Sequence, residues 1–230
     1  MNKPFPFSLI DLTHTLDETI PTWAGGCGFQ HHIQSDYNDC QGDVKFRVGQ
    51  LAMNTGIGTH IDAPAHCIPG GLTIDQIPLS QLLAPCVVID VSEYCDERYR
   101  ISINDIKKFE TQFNPIPQSS FVMIKTGWER FWYDPEKYRN QYQFPSVSIE
   151  AASLLIERNV CGLGIDTLSP DRPQDGYSVH QSFLQAGKYL VENAANLQQL
   201  PLVGSFIMPI PIKVKHATEA PLRLLALVPN

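Results

Sequence analysis

Histidine is scarce in this chain, with seven residues at positions 14, 31, 32, 60, 66, 180 and 216. Two of them share one short polar segment, Gly58-Thr59-His60-Ile61-Asp62-Ala63-Pro64-Ala65-His66. Side chains of an extended chain alternate between faces, so His60 and Asp62 project the same way. An imidazole and a carboxylate on one face form half of a site for a divalent ion such as zinc or manganese. Pro64 ends the extended stretch, so His66 can fold back towards the same place. Gly56 and Gly58 remove side-chain bulk just upstream, which suits close approach of a ligand or an unusual φ. Spacing alone leaves a second reading open, in which His60 and Asp62 simply hydrogen-bond each other in a loop.

These residues belong to a chain of 230 amino acids, 43% hydrophobic and 18% charged. That is enough apolar material for one sizeable core, and it is read as a single domain over residues 1–230. A net charge of −7, with no stripe of Lys and Arg, excludes a nucleic-acid partner. No apolar run reaches the length of about 18 residues expected of a membrane span. The opening stretch MNKPFPFSLIDLTHTLDE lacks the apolar segment of an export signal. Six cysteines, at 27, 40, 67, 86, 95 and 161, are scattered without a CxxC pair. Both features lead to the expectation of a cytoplasmic protein with reduced thiols. Cys67, beside His66, is read as a buried, inert thiol.

The elements that must position the site follow from hydrophobic period. SLIDLT (8–13) reads as a first strand, and IPTWAGGCG (20–28) as a loop around Trp23. FQHHIQS and VKFRVGQLAMN alternate and read as a hairpin. THIDAPAH begins extended and becomes a loop, and LTIDQIPLSQLL suggests a short helix. PCVVIDVS, SFVMIKTGW and CGLGIDTLS are continuous apolar runs, the pattern of buried strands. SINDIKKFETQF and SIEAASLLIERNV read as helices opened by serine. HQSFLQAGKYLVENAANL reads as a further helix with an interior Gly187, GSFIMPIPIKV as a strand near a sheet edge or end, and RLLALV as the closing strand. Strands alternate with helices only in the second half, so the class is α/β with a mixed sheet. The glycine pairs Gly25-Gly26 and Gly162-x-Gly164 lack the strand–glycine–helix context of a nucleotide site. Trp23, Phe46, Trp128, Phe131 and Trp132 either line an aromatic pocket or simply pack. His14 and His216 carry no assigned role.

The segment GTHIDAPAH resembles the signature H-x-G-T-H-x-D-x-P-x-H of the cyclase family of metal-dependent hydrolases, which includes bacterial kynurenine formamidases. LIDLTHTLDETIPTWAG resembles the family's opening strand and its Pro-rich substrate loop. KTGW (Lys125–Trp128), the stretch from Phe144 to Ala152, GIDTLSPD (Gly164–Asp171), LVENAANL (Leu190–Leu197) and EAPLRLLALV (Glu219–Val228) resemble later family segments. The matches run in order over nearly the whole chain.

The resemblance implies a mixed-sheet, cyclase-like (swivelling β/β/α) domain. It implies one or two divalent ions per chain, Zn or Mn, held by His60, Asp62, His180 and Glu192. His66 matches the family's general acid/base, and Trp23 falls in the substrate loop. The implied activity is hydrolysis of a small-molecule amide or lactone, foremost the arylformamidase reaction of tryptophan catabolism, N-formylkynurenine to kynurenine and formate. Hydrolysis of another cyclic amide or lactone is the alternative. Family members form dimers or tetramers, so a homodimer or homotetramer is expected. One position departs: Gly56 stands where the family has a histidine. Either a single ion is held, or another group moves in, with His31 and His32 as candidates of which only one can reach because adjacent strand residues face opposite ways, or the chain is a catalytically weak relative that binds a small molecule. Residues twelve apart on one helix lie about 18 Å apart along its axis. His180 and Glu192 can therefore share an ion only if the helix breaks at Gly187, leaving Glu192 on a second helix.

Overall fold

The structure, a computed structural model, describes residues 5–230. The first four residues of the opening stretch read above as lacking an export signal lie outside it. The first half of the chain gives strands β1 (Phe7–Asp11), β2 (Phe29–Ser35), β3 (Val48–Met53), β4 (His60–Asp62) and β5 (Ala84–Asp90). Then come β6 (Arg100–Ile101), helix α1 (Ile103–Phe113), β7 (Phe121–Lys125), α2 (Pro135–Arg139), β8 (Ser146–Val147), α3 (Ile149–Glu157) and β9 (Gly162–Ile165). Helix α4 (Ser178–Gln185), β10 (Tyr189–Glu192), β11 (Ser205–Pro211) and β12 (Glu219–Pro229) complete the chain.

Eight strands form one sheet in the order β1-β12-β11-β5-β7-β9-β10-β4, and β12 also pairs with β4. That last pairing closes the sheet on itself. Strands β5, β7, β9 and β10 run parallel, as continuous apolar runs such as those of β5, β7 and β9 suggest, and the remaining pairs of this sheet are antiparallel. Alternation divides the core. Cys86 and Val88 of β5 point into one cluster with Leu12, Ile61, Met123, Val191 and Leu224. Val87 and Ile89 point the other way, under α1, α3 and α4, with Ile106, Phe109, Leu155 and Phe183. A third cluster, including Ile57, Trp128, Trp132, Tyr138 and Phe144, lies beneath the loops. The expected α/β mixed-sheet fold is thus observed.

Local chemistry explains the element ends. Ser148 Oγ accepts the Ala151 N–H at the start of α3, and Ser102 and Asp105 form a reciprocal capping box on α1. The short helix expected over LTIDQIPLSQLL is two 3-10 turns, Ile74–Gln76 and Leu79–Gln81. Pro78 between them has no N–H to continue a helix. The long helix expected from His180 onward ends at Gln185. Gly187 takes φ +71° just past its end, where glycine has no Cβ penalty. Tyr-Leu-Val then joins the sheet between β9 and β4. Glu192 is therefore on a strand, not on a second helix.

Candidate active site

Sheet register assembles the polar cluster. In the antiparallel pair β10–β4, Glu192 lies opposite His60. In the pair β12–β4, Glu219 lies opposite Asp62. Directly opposed residues share a face, and His60 and Asp62 already share one, so all four project into one cavity. Ile61 between them points to the core and is fully buried. His180 enters from α4.

The distances are short. His60 Nε2 lies 3.5 Å from Asp62 Oδ1 and 3.3 Å from Glu192 Oε2. His180 Nε2 lies 3.5 Å from Asp62 Oδ2 and 3.3 Å from Glu192 Oε1. All four residues are buried. Both rings are held from behind. His60 Nδ1 is 2.9 Å from the Gly58 carbonyl, which also accepts from Asn193 Nδ2. His180 Nδ1 is 2.8 Å from Asp171 Oδ2. Each ring therefore turns Nε2 towards the two carboxylates, the arrangement by which a metal-binding histidine is oriented. Gly58 takes φ +59°, and a Cβ there would strike Leu16.

Charge in this nest is unbalanced. Burial opposes the imidazolium of His60, but the Asp62 and Glu192 carboxylates outweigh it and raise its pKa to about 9. Burial likewise opposes His180, yet Asp171, Asp62 and Glu192 carry it well above the ordinary value. Burial pushes Glu192 up, but His180 and His60 hold it at about 2. Both imidazoles are thus drawn to carry positive charge. Asp62 Oδ1, Asp62 Oδ2 and Glu192 Oε1 are nevertheless buried without accepting a hydrogen bond. Buried unpaired carboxylate oxygens are costly. Nitrogen and oxygen donors in this mixture suit a divalent ion of the zinc or manganese type, so the residues fit the metal implied by the sequence.

Beside the nest, His66 Nδ1 lies 3.5 Å from Glu219 Oε2. That carboxylate raises the His66 pKa against the effect of burial. The His66 and His180 ring centroids are 5.9 Å apart. A cavity of about 470 Å³ opens from the cluster, lined also by Pro21, Trp23, Cys67, Leu168 and Tyr177. Trp23 leans on Tyr142 at 4.6 Å between centroids and lies 6.1 Å from Tyr177.

The structure therefore brings His60, Asp62, His180, Glu192, His66 and Trp23 to one cavity. His31 and His32 do not reach it. They are exposed on the separate β2–β3 hairpin. Cys67 is exposed and lines the cavity, where a buried thiol was expected, because the 3-10 turn Pro64–His66 directs the chain outward. Glu219 and Asp171 escaped sequence reasoning. Both stand in quoted segments, but only strand register and the α4 approach reveal their places.

A mixed α/β sheet with a buried imidazole and carboxylate nest beside an aromatic-lined cavity defines an enzyme of hydrolase type. The chain belongs to the cyclase family, whose model, described as "Putative cyclase", matches residues 10–172. It is 29% identical over 215 residues to isatin hydrolase of Roseibium aggregatum, covering 86% of this chain and 81% of that protein. It is 25% identical over 219 residues to kynurenine formamidase of Bacillus cytotoxicus, covering 93% and 94%. Among solved structures, isatin hydrolase A from Labrenzia aggregata bound to benzyl benzoate superposes with a TM-score of 0.87 at 30% identity, covering 98% of this chain and 95% of that one. A potential metal-dependent hydrolase with cyclase activity superposes with a TM-score of 0.76 at 26% identity, covering 97% and 99%. Among the described residues, no helix is long and apolar enough to cross a membrane.

Proposed function

We propose that the protein is a metal-dependent hydrolase of the amide bond of an aryl-substituted, aniline-type nitrogen, foremost the arylformamidase reaction that converts N-formylkynurenine and water to kynurenine and formate. One observation carries the reading: His60, Asp62, His180 and Glu192 converge within 3.5 Å contacts, with three carboxylate oxygens left unpaired. These four residues would hold the ion. A bound divalent ion of this kind polarises a carbonyl and acidifies a water to a pKa near 7.

The chain's own groups supply the rest. His66 stands at the rim of the nest, placed to take a proton from the attacking water and return it to the departing aryl nitrogen. Glu219 steadies the His66 ring through Nδ1. Trp23 and Tyr177 offer aromatic faces to the aryl ring of the substrate, and Leu168 contributes apolar surface.

A cyclic amide is the second reading, supported by 29–30% identity to the isatin hydrolases of Roseibium aggregatum, Labrenzia aggregata and Ralstonia solanacearum against 24–26% for the formamidases, although a further isatin hydrolase stands at 24%. The two substrates share the bond between an aryl nitrogen and a carbonyl, which is the feature this site addresses. We also propose a homodimer or homotetramer, for which the exposed Ile33, Phe46, Val48 and Leu51 around the β2–β3 hairpin offer apolar contact surface. The six unpaired thiols suit a cytoplasmic setting.

The test loads the purified protein with Zn²⁺ or Mn²⁺ and assays N-formylkynurenine and isatin, with metal per chain measured in parallel. Turnover of one or both is expected, and His60→Ala and Asp62→Ala should lose ion and turnover together. Full metal occupancy in those variants, or no turnover of either substrate by the loaded protein, would falsify the reading.

A further inference from the structure

We propose that Glu219 is a metal ligand and that, with His60 and Asp62, it forms a second divalent-cation site beside the one made by Asp62, His180 and Glu192; this rests on the reading of the nest as a metal centre. The donor atoms fall into two groups. One atom each of His60, Asp62 and Glu219 lie within 4.8 Å of one another, and so do one atom each of Asp62, His180 and Glu192. Asp62 belongs to both, and its two oxygens divide accordingly. Oδ1 faces His60 and Oδ2 faces His180, each at 3.5 Å. Neither oxygen accepts a hydrogen bond, although Asp62 is only 1% exposed. A buried carboxylate with both oxygens unpaired, each turned to a different imidazole, is built to bridge two cations.

Glu219 reaches this place because residue 56 has no side chain. A Cβ on residue 56 would collide with Glu219 Oε1 and stand 3.4 Å from His60 Nε2. The carboxylate therefore fills the space that a side chain at 56 would take, on the His60 side of the nest. Its other oxygen, Oε2, is anchored 3.1 Å from Thr55 Oγ1 and faces His66. Register fixes its height, since Glu219 is the cross-strand partner of Asp62. One carboxylate thus takes over the ligand role that a residue at 56 cannot play, and its second oxygen meets the ring of His66.

The experiment counts Zn²⁺ by elemental analysis and by titration of chelator-stripped protein. Three variants accompany the wild type: Glu219→Gln, Glu219→Ala, and Glu219→Ala combined with Gly56→His, which refills the vacated space with an imidazole. The wild type should bind about two ions per chain and Glu219→Gln about one, the weaker step losing at least about 100-fold in affinity, more than a supporting residue commands. The double variant should regain the second ion. Glu219→Gln keeps the volume of the side chain, and circular dichroism checks that each variant folds. If the wild type and Glu219→Gln bind the same number of ions with the same affinities, the proposal is overturned, and a fall in turnover alone would make Glu219 a positioning residue for His66. One ion in the wild type overturns this proposal and leaves the proposed function standing, whereas no ion at all overturns both.

Discussion

Asp171 Oδ2 lies 2.8 Å from His180 Nδ1 and also accepts the His180 backbone N–H at 2.8 Å, while Oδ1 accepts the N–H of Val179 at 3.0 Å. One buried carboxylate thus sets both the start of α4 and the rotation of its imidazole. Asp171→Asn puts an amide where three donors converge, so one oxygen acceptor is lost and the ring is no longer tied through Nδ1. Metal affinity should fall roughly 10–100-fold, the usual effect of removing the partner that orients a ligand. Competition with a chelator measures it, and unchanged affinity would remove Asp171 from the site.

His66 differs from the nest residues in touching only Glu219 among the carboxylates within salt-bridge reach. His66→Ala should therefore keep the ion and lower turnover roughly 10²–10⁴-fold, the ordinary contribution of general acid–base catalysis. Metal content and kcat are measured on the same preparation. Intact turnover excludes His66 as the proton carrier, and loss of the ion would make it a ligand instead.

How far this site could be read from residues alone is itself physical. His60 and Asp62 share a face because strands repeat every two residues, which needs no knowledge of the fold. The buried strands β5, β7 and β9 announce themselves as β-branched and apolar runs. Sequence alone puts Glu192 on a helix because Tyr-Leu-Val-Glu follows a genuine helical segment, and four residues carry too little period to reveal a strand. What decides it is pairing with β9 and β4, a long-range fact. Glu219 is hidden for the same reason: it lies 157 positions from Asp62 in sequence and opposite it in the sheet. The two exposed histidines of the hairpin looked available only because local alternation cannot say which sheet a hairpin joins.

Trp23 meets the cavity with one face and Tyr142 with another, and its carbonyl accepts the Tyr142 hydroxyl at 2.8 Å. The backbone bond survives truncation of the side chain, so Trp23→Ala removes aromatic surface without freeing the loop. The expected result is a rise in KM for an aryl amide of about tenfold with kcat nearly unchanged, the signature of lost uniform binding. A fall in kcat at constant KM would instead tie Trp23 to the reacting geometry.

His14 shows how the scaffold behind the site responds to acid. Its ring stacks on Trp132 with centroids 3.7 Å apart and planes 5° from parallel, and its buried Nε2 has no hydrogen-bond partner. Its backbone N–H donates to Thr59 Oγ1, next to His60. Burial lowers the His14 pKa from 6.5 to about 4. Between those values the unfolded chain binds a proton that the folded chain refuses, so stability present above pH 6.5 is lost as pH falls towards 4. The loss approaches about 3 kcal/mol once pH has fallen below both values. His14→Phe keeps a flat ring against Trp132 and cannot titrate. Urea unfolding of both proteins at pH 8 and pH 4.5, with a chelator present so that ion release drops out, should show the wild type losing ground to the variant at the lower pH. Parallel behaviour of the two would mean that the imidazole is protonated as readily in the fold as outside it.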